Sequence, residues 1–153
     1  MTKMGSSTLL LSLGDRESRV RLTGEDGVSR EFVLALGLDA MTLGPFRRDP
    51  PTPLELEQAI MVVEDVLMPL AAHVPPHPLV ELHSPVPLAE GLGSHELSRE
   101  SIERLFGQLV AMVEGDPLAS AQLPRDRRFA AALLILREWM HHLDAGSVAL
   151  VDQ

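Results

Sequence analysis

The sequence predicts a single α/β domain, and three observations carry that prediction. Short apolar or alternating runs open the chain, longer segments repeat apolar residues at helical spacing, and proline and glycine clusters separate them. A length of 153 residues suits one domain with one core, expected over residues 8–151 behind a flexible N-terminus at 1–7.

Thr8 to Leu13 is a short apolar run suited to a buried strand. Ser18 to Thr23 alternates, with Val20 and Leu22 on one face and Arg19 and Arg21 on the other. Glu25-Asp26-Gly27 marks a turn, and Glu31 to Leu36 forms a third strand. Turns this short join neighbouring antiparallel strands, so a meander is expected.

After a proline-rich loop, Thr52-Pro53-Leu54-Glu55 is a helix start. Thr52 caps, Pro53 fits the first helical position, and Glu55 completes a capping box. Leu56, Ala59, Ile60, Val63, Val66, Leu67 and Leu70 build its apolar face, and Pro69 then Pro75-Pro76 end it. Leu79 to Leu82 is a short strand, and Ser84 to Ser94 reads as loop. Ser98 opens a second helix faced by Ile102, Leu105, Phe106, Leu109, Val110 and Val113, with Gly115 as its stop. Asp126 caps a third, whose stripe of Phe129, Leu133, Leu136, Met140 and Leu143 is widened by Leu134 and Ile135. It should be the most buried helix. Asp144-Ala145-Gly146 ends it, and Val148 to Val151 is the last strand.

Three strands, helix, strand, two helices, strand is a ribonuclease-H-like order. It implies a mixed five-stranded sheet, made of an antiparallel meander plus helix–strand units, with helices packed on its faces.

Composition narrows the function classes. Twenty-two acidic against 13 basic side chains give a net charge of −9, a field that repels nucleic acid and anionic membranes. Aromatic residues are only 3%, which leaves little for base stacking. With no cysteine there is no disulfide, thiolate metal site or thiol nucleophile, which suits the cytoplasm. No apolar run approaches a membrane span, and none of signal-peptide length precedes Leu9.

Four stretches carry a likeness beyond the fold class: Leu34 to Phe46 (LALGLDAMTLGPF), Asp49 to Ala59 (DPPTPLELEQA), His95 to Leu105 (HELSRESIERL), and Leu123 to Gly146 with Pro124 and Arg127 or Arg128. In order and spacing they resemble the second lobe of the exopolyphosphatase and guanosine-pentaphosphate phosphatase family, within the actin-like ATPase superfamily. The resemblance implies a two-lobed enzyme holding phosphates and metal in the cleft between lobes, and a chain of this length is expected to hold one lobe. It also implies a phosphate loop, Asp-Ile-Gly-Gly-Gly-Ser-Thr-Glu, over Ser12 to Arg19. Those positions read Ser-Leu-Gly-Asp-Arg-Glu-Ser-Arg. Gly14 survives, and Ser18 stands at the hydroxyl position. Consecutive glycines would let backbone N–H groups reach phosphate oxygens, whereas Asp15 and Glu17 repel phosphate and Arg19 stands where a carboxylate is expected. A later Gly-Gly-Thr-Ala turn should fall near His83 to Val86, where Pro85 removes a donor.

The candidate site is therefore a vestigial phosphate loop of Gly14, Asp15, Glu17 and Ser18, with no catalytic residue and no metal ligand assigned. Other groups have simpler readings. Asp15, Glu17, Glu25 and Asp26 are turn acids that would have to converge to hold a metal. His141 and His142 project about 100° apart on a helix, cannot share one metal, and suit a helix C-terminus. His73, His77 and His83 surround a proline-rich loop where a metal cluster could form, and His95 sits beside a helix start, where packing or capping is the simpler role. Arg47-Arg48 and Arg125 to Arg128 could bind an anion or an acidic partner but read as solvated loops.

The leading expectation is a non-catalytic relative of the second lobe, a pseudoenzyme without cofactor. It would work as a binding or assembly module, as a homodimer or with another protein. One alternative is a phosphohydrolase rebuilt across a dimer interface, with Asp15 and Glu17 holding magnesium or manganese. The other is a sensor of a small phosphate ligand near Gly14 and Ser18.

Overall fold

The computed structural model describes residues 7–39, 46, 48–49, 51–75, 77–86, 96–120, 123–124 and 126–151. The strands are β1 (Thr8–Ser12), β2 (Ser18–Thr23), β3 (Ser29–Leu34), β4 (Leu79–His83), β5 (Glu96–Ser98) and β6 (Ser147–Val151). The helices are α1 (Pro53–Ala71), α2 (Arg99–Val113), the single turn α3 (Pro117–Ser120) and α4 (Arg127–Leu143).

The expected meander forms. β1 pairs antiparallel with β2, with Leu11 opposite Val20, and β2 with β3, with Val20 opposite Phe32. β1 also runs parallel to β4, and β4 parallel to β6, giving the order β3-β2-β1-β4-β6-β5. The mixed sheet thus has six described strands, not five. The extra strand, β5, pairs antiparallel with β6 at one edge and runs straight into α2. Three residues with a single buried side chain, Leu97, are too few to show a period of two.

The crossovers from β1 to β4 and from β4 to β6 step the same way across the sheet. Since such connections are right-handed, α1 and α4 lie over one face. There α4 packs between α1 and α2. Burial follows the alternation: Leu9, Leu11, Val20, Leu22, Val80, Leu82 and Val148 point into one core, while Arg19, Arg21 and Glu31 lie exposed on the other face. Helix α4 is the most buried, with Ala130 to Leu136 and Trp139 almost inaccessible.

Local chemistry places the helix starts. Thr52 accepts from the Glu55 amide at 3.1 Å while the Glu55 carboxylate accepts from the Thr52 amide at 2.9 Å, a complete capping box. Ser98 and Asp126 cap α2 and α4. One end shifts slightly. Helix α1 runs two residues past Pro69, whose missing N–H removes only one bond in the last turn. Helix α4 ends within the expected Asp144-Ala145-Gly146 stretch, turning on Asp144 in the left-handed region at φ 54°.

Candidate functional site

The loop from β1 to β2 is built by backbone packing. A Cβ on Gly14 would lie 2.2 Å from the Glu17 carbonyl oxygen, so only glycine permits this curl. Ser18 at the loop's end is buried. Its hydroxyl donates to the Leu36 carbonyl at 2.8 Å and accepts a longer bond from the Gly14 amide at 3.4 Å. The segment after β3 lies along the loop, with the Leu38 amide donating to Gly14 at 2.9 Å and the Asp39 amide to Asp15 at 2.7 Å. Gly37 makes that approach possible, since a Cβ there would stand 2.4 Å from the Asp15 carbonyl oxygen.

The first turn of α4 meets this loop. Its free N–H groups face carboxylates: Arg128 donates its amide to the Asp126 cap at 2.9 Å, and Arg127 donates its amide to Asp49 at 2.7 Å. The Arg128 guanidinium then forks, one nitrogen 2.7 Å from Asp15 and the other 2.6 Å from Asp39. The hydrogen bond to Asp15 is the largest influence on Arg128. With Asp39 it raises the guanidinium pKa above its ordinary value despite the opposing effect of burial.

Of the four residues expected at the site, Gly14, Asp15 and Ser18 come together. Glu17 does not join them: it lies at the surface, 3.9 Å from Arg19. Gly37, Asp39 and Arg128 complete the arrangement and were not expected there. Arg128 belongs to a basic run read as solvated, and the structure ties it across the loop instead. Arg47 and Arg125 of the basic runs, His95, residues 1–6 of the N-terminus, and most of the Ser84 to Ser94 loop lie outside the described residues; Arg48 is exposed. Chemically, the loop's hydroxyl and the α4 N-terminus are already engaged by this chain's own groups, where a phosphate loop would turn such donors toward the ligand.

The remaining candidates stay apart. Asp26 accepts the Val28 amide within its turn at 3.0 Å. Ser84 accepts the Val86 amide at 3.1 Å beside Pro85. His73 lies against the Phe32 ring, and His77 sits 3.5 Å from Asp144. His141 turns toward Arg99, at 3.2 Å, so the two adjacent histidines do diverge. His142, however, faces Glu64 and Glu138. That grouping was missed, although Glu138 and His142 stand four apart on one helix, a spacing visible in the sequence.

No family model matches the sequence, and no curated protein is detectably similar to it. Solved structures share the fold. A Ppx/GppA phosphatase from Aquifex aeolicus, a type II variant, aligns with 96% of this chain and 53% of its own at 14% identity and a TM-score of 0.70. An exopolyphosphatase-like protein covers 97% of this chain and 55% of its own at 13% identity and TM-score 0.71. An exopolyphosphatase from Cytophaga hutchinsonii covers 96% and 53% at 16% identity and TM-score 0.67. The chain therefore has the α/β fold found in Ppx/GppA exopolyphosphatases and spans about half their length. These are the same proteins that the sequence resembles. Among the described residues no helix is long and apolar enough to cross a membrane.

Proposed function

We propose that this chain is an exopolyphosphatase-type second lobe whose phosphate loop has become a structural clasp, and that it works as a non-catalytic assembly module. The observation that carries the reading is the Arg128 fork. A guanidinium fixed between Asp15 and Asp39 spends its positive charge on the loop's own acids, and Asp15 and Glu17 add negative charge where phosphate would approach. The test is phosphate release from long-chain polyphosphate and guanosine pentaphosphate with magnesium or manganese. Folded protein is expected to give a flat trace. Metal-dependent turnover that disappears in Asp15→Asn/Glu17→Gln would overturn the proposal in favour of a rebuilt phosphohydrolase.

The assembly half of the proposal rests on α1. Leu54, Met61 and Met68 are all about 60% exposed and recur every seven residues, which lines them up along one side of the helix. A stripe of this kind suits a second copy of the same helix across a two-fold axis. Light scattering after size exclusion is expected to give a dimer at tens of micromolar, and Met61→Glu a monomer of unchanged circular dichroism. A monomeric wild type at that concentration would remove the homodimer from the proposal.

A further inference from the structure

Near the C-terminal end of α4, His142 meets two carboxylates from different helices. Glu138 lies one turn earlier on α4, and Glu64 reaches across from α1. Glu64 Oε2 and Glu138 Oε1 each stand 3.4 Å from His142 Nε2. Although both are that close, Nε2 is sealed from solvent and has no hydrogen bond among the described residues, because neither carboxylate is aligned to accept one. Glu138 itself is only 1% exposed. Its other oxygen, Oε2, is held by Arg137, which also bonds Glu103 on α2 at 3.1 Å. That leaves Oε1 as the Glu138 oxygen beside the imidazole, 3.4 Å from Nε2.

From this geometry we infer a divalent transition-metal site, of the zinc class, formed by Glu64, Glu138 and His142. A proton on Nε2 can point at one acceptor only, whereas a cation bonds all three groups at once. Ligand atoms at the corners of a tetrahedron with bonds of about 2.1 Å are roughly 3.4 Å apart, which is the separation found from Nε2 to each carboxylate. One imidazole with two carboxylates suits zinc, cobalt or manganese. Calcium would need six to eight oxygens, and magnesium prefers an octahedron of oxygens and water. Arg137, anchored by Glu103, orients Glu138 as outer-shell partners orient metal ligands elsewhere. Three protein ligands leave a fourth position beside the half-exposed Glu64 for water or an incoming group. The site is separate from the Gly14 to Ser18 loop: Arg128 and His142 stand fourteen residues apart on α4, about 21 Å of helix. A bound ion would pin α1 to α4.

The test uses the full chain, stripped with a chelator and shown to be folded, then titrated with zinc by calorimetry and with cobalt by visible absorption. One equivalent is expected to bind, and cobalt should give the intense bands of a four-coordinate site. Glu64→Gln and His142→Gln are each expected to weaken zinc binding by more than about 100-fold, the upper end of what loss of even an outer-shell partner does. Glu64 is partly exposed, so its variant keeps the fold and isolates the ligand's loss. Failure of the folded wild type to bind zinc, or an affinity unchanged in either variant, would overturn the site.

Discussion

Replacing Arg137 with leucine is expected to destabilise the chain by about 3–5 kcal/mol, the usual loss when one partner of a buried ion pair is removed. Glu138 is fully enclosed, and in this helix-packed interior its charge is met by the Arg137 guanidinium on one oxygen. Leucine would leave that carboxylate without its cation, beside Glu64 and a His142 Nε2 that makes no hydrogen bond to it. It would also remove the guanidinium that lies 4.9 Å over the Phe106 ring and the anchor for Glu103. Removing both partners together separates these effects. Arg137→Leu/Glu138→Leu should recover most of the loss, because an apolar pair of similar volume carries no uncompensated charge. Urea unfolding of the two variants checks this: a single variant within about 1 kcal/mol of wild type would show that Glu138 is not an effectively buried charge.

The pH dependence of the Arg137 contribution has a definite sign. Burial works against the charge on Arg137, but the hydrogen bonds to Glu138 and Glu103 outweigh it, so the pKa rises above the ordinary arginine value. A group whose pKa is raised by folding stabilises the folded state at all pH below its unfolded value and loses that contribution only above it. For arginine that loss falls beyond the usual working range. The charge of Arg137 itself should therefore contribute equally from neutral to moderately alkaline pH, so wild-type stability should show no loss from this group across that range in urea unfolding.

How much of this was legible beforehand depends on how local each feature is. The caps at Thr52, Ser98 and Asp126 were readable because cap and helix are adjacent in the chain. The Val20 and Leu22 alternation was readable because a half-buried strand must alternate. Gly14 and Ser18 were picked out by resemblance as ligand-binding residues, and in the structure the Gly14 amide bonds Ser18, whose hydroxyl bonds Leu36. The Asp15–Arg128 pair was not readable, since its members are 113 residues apart and each alone resembles a solvated surface charge. The Glu138–His142 spacing was visible, but its meaning depends on Glu64, which only the packing of α1 on α4 brings there. Strand β5 was hidden by its brevity, whereas the helix end at Asp144-Ala145-Gly146 was readable because a turn residue and a glycine follow the last apolar position directly.

Gly37→Ala is expected to cost about 3 kcal/mol, at the upper end for an overpacked site. The reason is contact, not backbone conformation. The new Cβ would lie 2.4 Å from the Asp15 carbonyl oxygen, 2.5 Å from its carbon and 2.6 Å from the Arg16 nitrogen. All three are backbone atoms, so no side chain can swing aside. Moving the loop away would break the bonds from Leu38 to Gly14 and from Asp39 to Asp15 and pull Asp15 and Asp39 off the Arg128 fork. Gly107→Ala supplies the contrast. Gly107 sits in the middle of α2, and a Cβ there would meet nothing within 4 Å, so alanine should stabilise by up to about 1 kcal/mol. The two alanine variants should thus shift the urea midpoint in opposite directions. If Gly37→Ala loses less than about 1 kcal/mol, the loop and the segment after β3 are not clasped as closely as these distances require, and the proposed structural role of the Gly14 to Ser18 loop is overturned.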